Sequence, residues 1–173
     1  MTFSPEPTDT LALGMFERHA TAVRRFMFRL TRDRDAADDL TSEVFLRVVR
    51  SAGSYEFRER EAGWVFRIAH NVLRDFRRRG SRSVEDSSSI EVGTSPLQAL
   101  NLDLQRGLDA LPEDERIALL LGELAGLTYA EIATATASTV PAVRNRIYRA
   151  RQFLRARLAP PPAVLSLRGS HGD

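Results

Sequence analysis

The sequence predicts an all-α protein: two small helical domains joined by a flexible linker, the C-terminal one a helix-turn-helix. Three observations predict it. Apolar residues recur at three- and four-residue spacing along most of the chain, and no period-two alternation lasts long enough for a sheet. The stretch from Gly80 to Pro96 is rich in Ser and Gly and has no helical periodicity. Beyond it, a short helix, a tight turn and a longer basic helix follow one another. The resulting division is an N-terminal tail over 1–10, a first domain over 11–79, a linker over 80–96, a second domain over 97–158 and a disordered tail over 159–173.

The first domain reads as three helices. Residues 11–30 place Leu11, Met15, Ala22, Phe26 and Leu30 along one apolar side. The next helix begins near Asp33 or Asp35, whose short acidic side chains suit a helix N-terminus. In it Ala37, Leu40, Val44 and Val48 form one stripe, Asp39, Glu43, Leu46 and Arg50 another side, and Phe45 and Val49 a third apolar position. A helix apolar on more than one side packs between two neighbours or binds a partner, and the pattern leaves both readings open.

The third helix carries the first functional signal. Arg67, His70, Asn71, Arg74, Arg77 and Arg78 fall within an arc of roughly 120°, with Val65, Ile68, Val72 and Phe76 on the other side. A polar loop precedes it, with Tyr55 and Phe57 at its start and Arg58 and Arg60 inside it. Basic residues beside aromatics suit single-stranded or melted nucleic acid, because bases stack on rings while arginines hold phosphate. A solvated charged face over a core with aromatics, Trp64 included, fits the same pattern.

The second domain is more specific. Thr128-Tyr129-Ala130-Glu131 is a capping box, with Leu127 placed to staple the helix that follows. Ala137-Ser138-Thr139 reads as a tight turn with Thr139 capping the next helix. In that helix Val140, Val143, Ile147, Ala150, Leu154 and Leu158 lie within about 80° of arc, a buried seam. Opposite stand Ala142, Asn145 and Arg149, with Arg144, Arg146, Arg151 and Arg155 on the flanks. The second helix of such a motif lies in the major groove, and Asn and Arg are the side chains that read adenine and guanine edges bidentately.

Charge and composition narrow the function. All 25 basic residues are arginine, and the net charge is only +2. Residues 1–79 carry 15 arginines against 12 acids, residues 80–137 carry 3 against 10, and residues 138–173 carry 7 against 1. A basic, acidic, basic chain suggests an anionic polymer touched at two places. With no cysteine there is no disulfide framework, zinc finger or thiol nucleophile. His19, His70 and His171 have no metal-ligand spacing, and no catalytic carboxylate cluster is visible, so no catalytic residue, metal or cofactor is expected. No run is long enough to span a membrane, and Met1 to Pro7 lacks the pattern of a signal peptide, so a cytoplasmic protein is expected.

Three stretches, in order, resemble a known family. Asp35 to Arg47, Ala62 to Arg79, and Leu108 to Leu158 with Gly126-Leu127-Thr128-Tyr129-Ala130-Glu131-Ile132-Ala133 inside it, resemble bacterial RNA polymerase sigma factors of the sigma-70 family, extracytoplasmic-function group. The resemblance covers about 12–79 and 101–158. It implies that Asp38, Asp39, Leu40, Ser42, Glu43 and Leu46 face the β′ clamp helices of core RNA polymerase. Phe57, Arg58, Arg60, Trp64, Arg67, His70, Asn71, Arg74, Arg77 and Arg78 would capture and help melt the −10 element, with Asn71 near a flipped non-template base. Thr139, Ala142, Arg144, Asn145, Arg146 and Arg149 would read the −35 element, and helices around Ile117–Leu124 would pack on the β flap. Promoter DNA, core polymerase and an anti-sigma factor are the implied partners, and the chemistry would belong to the polymerase rather than to this chain.

The sequence departs from the family pattern in places. Ser42 stands where Gln is usual, and Ser138 replaces an apolar turn anchor. Ala137 occupies a turn position that often takes positive φ, at an expected cost of roughly 1 kcal/mol. Pro141 sits in a first helical turn, where it is tolerated. A stand-alone helix-turn-helix regulator whose first domain only dimerises is the alternative, and a protein that mimics a sigma factor to sequester an anti-sigma partner is another. Neither needs the basic face over residues 67–78.

Overall fold

The computed structural model describes residues 7–56, 60–80 and 96–159. Among them are seven α-helices and no strand. They are α1 (Pro7–Thr31), α2 (Arg34–Ser51), α3 (Glu61–Gly80), α4 (Pro96–Asp109), α5 (Glu113–Ala125), α6 (Tyr129–Ala135) and α7 (Val140–Leu158). Apart from its end residues, the 80–96 linker lies outside the described residues, as does the tail from Pro160.

Local chemistry accounts for the ends of the helices. α1 starts four residues earlier than the apolar periodicity indicates, because Pro7 suits a first helical turn and Asp9 complements the helix dipole. The chain reverses at Arg32, whose φ is 60°, and Asp33 then caps α2 by accepting from the Ala36 amide at 3.1 Å. Gly126, with φ 62°, ends α5 in the left-handed conformation that favours glycine, and its amide donates to the Gly122 carbonyl at 3.1 Å. The capping box of α6 is complete: the Glu131 amide donates to the Thr128 hydroxyl at 3.3 Å, and the Thr128 amide donates to the Glu131 carboxylate at 2.7 Å.

The first three helices enclose one core and the last four another. Met15, Val23, Phe26 and Met27 of α1 pack on Ala37, Val44 and Val48 of α2 and on Val65, Phe66 and Val72 of α3. The Phe26 and Phe66 rings meet edge to face at 5.7 Å. In the second half Ile117 and Leu121 of α5, Ile132 of α6 and Val143 and Ile147 of α7 are buried together. α4 lies close against α7; a Cβ added at Gly107 would come within 2.8 Å of Leu154 Cδ2.

The two halves do not stand apart. α3 packs on α6 and α5, and α1 packs on α5, so the buried side chains form one continuous cluster. Polar contacts cross the seam. Arg29 Nη1 donates to Gln105 Oε1 at 2.6 Å, Arg32 pairs with Asp109 at 3.1 Å, and Arg60 pairs with Glu131 at 3.1 Å. Arg77 pairs with Glu113.

This packing corrects the sequence reading of α3. One buried side and one basic side were expected, but Phe66, Ala69 and Leu73 are buried as well as Val65 and Val72. α3 is held between α1 and α2 on one side and α5 and α6 on the other, so it buries two flanks. Phe76, expected inside, is exposed on the last turn among Arg77, Arg78 and Arg79. Val140, expected in the seam of α7, is also exposed at the start of that helix.

Candidate nucleic-acid interface

The basic face of α3 divides into two edges and a middle. His70 and Arg77 form the edge beside Phe66 and Leu73 and turn into the seam. With Arg74 they line a cleft of about 260 Å³, closed on the far side by Glu113, Asp114, Ile117, Thr136 and Arg146. Burial pulls His70 below the ordinary histidine value, and the neighbouring Arg74 adds to the effect. Its Nδ1 is buried without a hydrogen-bond partner. Burial likewise lowers Arg77, which also donates to the Leu30 carbonyl at 3.4 Å. Arg74 in the middle and Arg78 beyond it are exposed, and Arg67 and Asn71 are half-buried.

Phe57 and Arg58, both expected to touch nucleic acid, lie outside the described residues. Arg60 is exposed beside its partner Glu131. Trp64 is a correction. It is 5% exposed, with its ring edge to face with Tyr55 at 5.2 Å, because the first turn of α3 rotates it into the first core. It offers no face on which a base can stack.

The start of α3 is held by one carboxylate. Glu61 accepts from Arg18 through two nitrogens at 2.8 Å each and lies 2.7 Å from His19 Nε2. The Arg18 hydrogen bonds keep the Glu61 carboxyl below the usual carboxylate range against the opposing effect of burial. α1 therefore fixes the origin of the basic helix.

The second basic face is built differently. Thr139 caps α7 by accepting from the Ala142 amide at 3.3 Å, which fixes the first turn around Pro141. The turn before it holds Ala137 at φ 50°, as the pattern indicated, and the Ser138 amide donates to the Ala133 carbonyl at 2.8 Å. Ser138 replaces the usual apolar anchor with a polar one: its hydroxyl accepts from Arg146 Nη1 at 2.8 Å. Arg146 Nη2 donates to Asp114 at 2.8 Å. Arg144 and Asn145 are exposed, and Arg149 is 65% exposed at its side chain, with Nε 3.0 Å from Glu115. Ala142, Asn145, Arg146, Tyr148 and Arg149 line an open groove of about 400 Å³.

Sequence reasoning missed Tyr148, the most exposed large apolar side chain among the described residues at 62%. An exposed aromatic beside Asn145 and Arg149 in a helix-turn-helix was the signal that could have found it.

The helix expected to meet a protein partner presents a mixed face. Asp39 and Ser42 are exposed, Glu43 accepts from Arg47 Nε at 2.7 Å, and Leu46 is 51% exposed. Asp38 is exposed but paired with Arg24, whose hydrogen bonds keep its carboxyl below the usual range. Ser42 donates to the Asp38 carbonyl of its own helix at 3.0 Å. Leu40 is a correction: it is buried with Ala37, Val44 and Val48, the stripe that packs α2 into the first core. Around Leu46 the sequence reading missed part of an apolar surface. Val49 is exposed, as are Leu13 and Phe16 on α1, and Phe16 meets Phe45 edge to face at 4.9 Å.

Comparison with known proteins places the chain in a family. The chain matches the sigma-70 region 2 family over residues 15–83 and the sigma-70 region 4 family over residues 101–154. An ECF RNA polymerase sigma factor, EcfG of Rhodopseudomonas palustris, is 32% identical over 143 residues, 79% of each chain. The chain belongs to the extracytoplasmic-function group of sigma factors. A second member, SigE of Mycolicibacterium smegmatis, is 35% identical over 156 residues, which are 84% of this sigma factor and 60% of that one. Against this relative, then, the chain spans less than two thirds of the length. The fold is shared with the sigma factor RpoE of Bartonella quintana, solved in complex with the anti-sigma factor NepR. That match has a TM-score of 0.70 at 24% identity and covers 84% of this sigma factor and 94% of the other chain. Among the described residues, no helix of this sigma factor is long and apolar enough to cross a membrane.

Proposed function

We propose that this chain acts in the cytoplasm as the promoter-specificity subunit of a bacterial RNA polymerase. Residues 11–79 serve as the unit that binds the core enzyme and the −10 element, and residues 97–158 as the unit that binds the −35 element. One observation carries the reading: α7 offers Asn145, Tyr148 and Arg149 in an open groove, on a helix whose opposite side is buried. Asn and Arg read base edges in a major groove, and Tyr148 adds an exposed ring beside them.

Arg67, Asn71 and Arg74 of α3 hold the −10 element as it opens, and Arg78 contacts its phosphates. His70 and Arg77 join them once α5 and α6 move off the cleft. Asp39, Glu43 and Leu46, together with the apolar Leu13, Phe16 and Val49, meet the clamp helices of the core enzyme. The reaction chemistry belongs to the polymerase, so the chain itself is not an enzyme. An anti-sigma factor is the expected negative partner, and it would compete for these same surfaces.

Run-off transcription with purified core polymerase, with and without the chain, on a library of promoter fragments tests the reading. Initiation at a defined set of sites is the expected result. Asn71→Ala is expected to lower open-complex formation more than closed-complex binding, read by permanganate footprinting against mobility shift. A chain that shifts duplex DNA but never binds core polymerase would instead be a stand-alone regulator.

A further inference from the structure

The three acids that open α5 are not equivalent. Glu113 and Asp114 have exposed side chains, which is all that a favourable interaction with the helix dipole needs. Glu115 is turned inward, with its side chain only 12% exposed. Withdrawing a carboxylate from water is unfavourable unless a cation accompanies it. The cation here is Arg149, whose Nε lies 3.0 Å from the Glu115 carboxylate, so the pair ties α5 to the reading face of α7.

The arginines of that face are held to three different degrees. Arg144 is exposed and has no ion pair or hydrogen bond among the described residues, which suits phosphate, a target that needs charge more than orientation. Arg146 uses both terminal nitrogens within the protein, on Ser138 and Asp114. Arg149 is held by an ion pair alone, closest at Nε, and its terminal nitrogens have no partner among the described residues while its side chain is 65% exposed. The ion pair keeps the Nε edge of the guanidinium beside Glu115 and leaves the fork formed by Nη1 and Nη2 open to a ligand. That fork is the group that engages guanine O6 and N7 bidentately. Holding the Nε edge beforehand lowers the ordering cost on binding.

Building on the promoter reading above, we infer that Glu115 is a positioning residue that aims Arg149 at a guanine in the −35 element and so sets selectivity at one base pair. The carboxylate stays off the DNA and works through the arginine. As a negative charge near phosphates it does not add to non-specific affinity, so its removal separates selectivity from affinity.

The test uses the full chain with core polymerase on a promoter library randomised through the −35 element, with initiation at each sequence counted. The variants are Arg149→Ala, Glu115→Ala, Glu115→Gln and the double Arg149→Ala/Glu115→Ala. Arg149→Ala is expected to abolish a guanine preference at one base pair. Glu115→Ala should weaken that same preference roughly ten-fold, within the range one bidentate contact provides, and leave the other positions unchanged. Glu115→Gln keeps the shape and an acceptor, so it should fall between Glu115→Ala and the unaltered protein. The double variant should be no less selective than Arg149→Ala alone. A uniform loss of initiation in both Glu115 variants, or a loss of selectivity at a different base pair, overturns the positioning role. So does unchanged selectivity in Glu115→Ala when Arg149→Ala has lost it, an outcome that leaves the promoter reading standing. Absence of any initiation by the unaltered protein on the library overturns the promoter reading itself, while initiation with selectivity unchanged in every variant overturns only the positioning role.

Discussion

α3 and α7 each carry a basic stripe along a helix that is otherwise packed into the molecule, yet the two stripes stand in opposite situations. The charged face of α7 opens onto solvent and presents Asn145, Tyr148 and Arg149 in a groove. The charged face of α3 is partly taken up inside the molecule: His70 and Arg77 look across a cleft at Glu113 and Asp114 of α5. A basic stripe at helical spacing therefore tells which side chains share a face. It does not tell whether that face is available.

The largest expected effect asks whether the two halves are one cooperative unit. Phe66→Ala removes a fully buried ring that meets Phe26, and a cost of about 3–5 kcal/mol is expected. Ile147→Ala empties a buried site in the second core, at about 2–5 kcal/mol. Because the buried side chains join in one cluster, calorimetry should show a single transition that either substitution lowers. Two transitions, each moved by only one of the substitutions, would return the halves to independent domains.

The next effect separates the two basic faces. Arg149→Ala should weaken binding to −35 duplex about ten-fold and reduce the dependence on salt by about one released counterion if the contact is to phosphate, or leave the salt dependence nearly unchanged if it is to a base. Arg77→Ala should leave −35 duplex binding near the unaltered value, since Arg77 pairs with Glu113 away from the groove. Fluorescence anisotropy over a salt series reads both. Equal losses would mean that the α3 face reaches the same duplex.

A smaller effect sharpens the description of the turn. Ala137 sits at φ 50°, where a Cβ is unfavourable, so Ala137→Gly should stabilise the protein by up to about 1 kcal/mol, raising Tm by about 2–4 °C. A lower Tm would show that the turn is held by more than backbone preference.

The smallest expected effect is on pH. His70 in the seam faces Arg74 and Arg77 on its own helix, Arg146 of α7, Glu113 and Asp114 of α5, and the Ala135 backbone. Burial and Arg74 lower its affinity for a proton, so the closed seam favours the neutral ring. An opened seam returns His70 to its ordinary value of about 6.5. The contribution of His70 to closure is thus fully present above that value and is lost as pH falls from there toward the lowered one. Protection of α6 amides, read as exchange relative to the intrinsic rate at each pH, should fall between pH 7 and 5.5 more in the unaltered protein than in His70→Gln.

Much of the fold was legible because local signals agreed. Asp33, Thr128 and Thr139 cap the helices that their side chains predicted, and Ala137 adopts the positive φ that its place in the turn requires. The reading face of α7 was equally plain, since a sharp apolar seam leaves the opposite residues outside. The site on α3 was harder to read. Trp64, which the resemblance placed at the −10 element, is a core residue, as is Leu40 of α2, which it placed at the core polymerase, and Phe76, taken for core, is exposed. A helix with neighbours on two flanks mixes two buried arcs, and one sequence period cannot separate them.

The sequence by itself determined the helices, their caps, the turn and the sign and spacing of the charges, because each depends on residues within a few positions of one another. Only the tertiary structure decided which charges are spent. Arg77 meets Glu113, Arg29 meets Gln105, Arg60 meets Glu131 and Glu115 meets Arg149 across gaps of tens of residues. Electrostatic pairing depends on distance in space, and chain packing sets that distance.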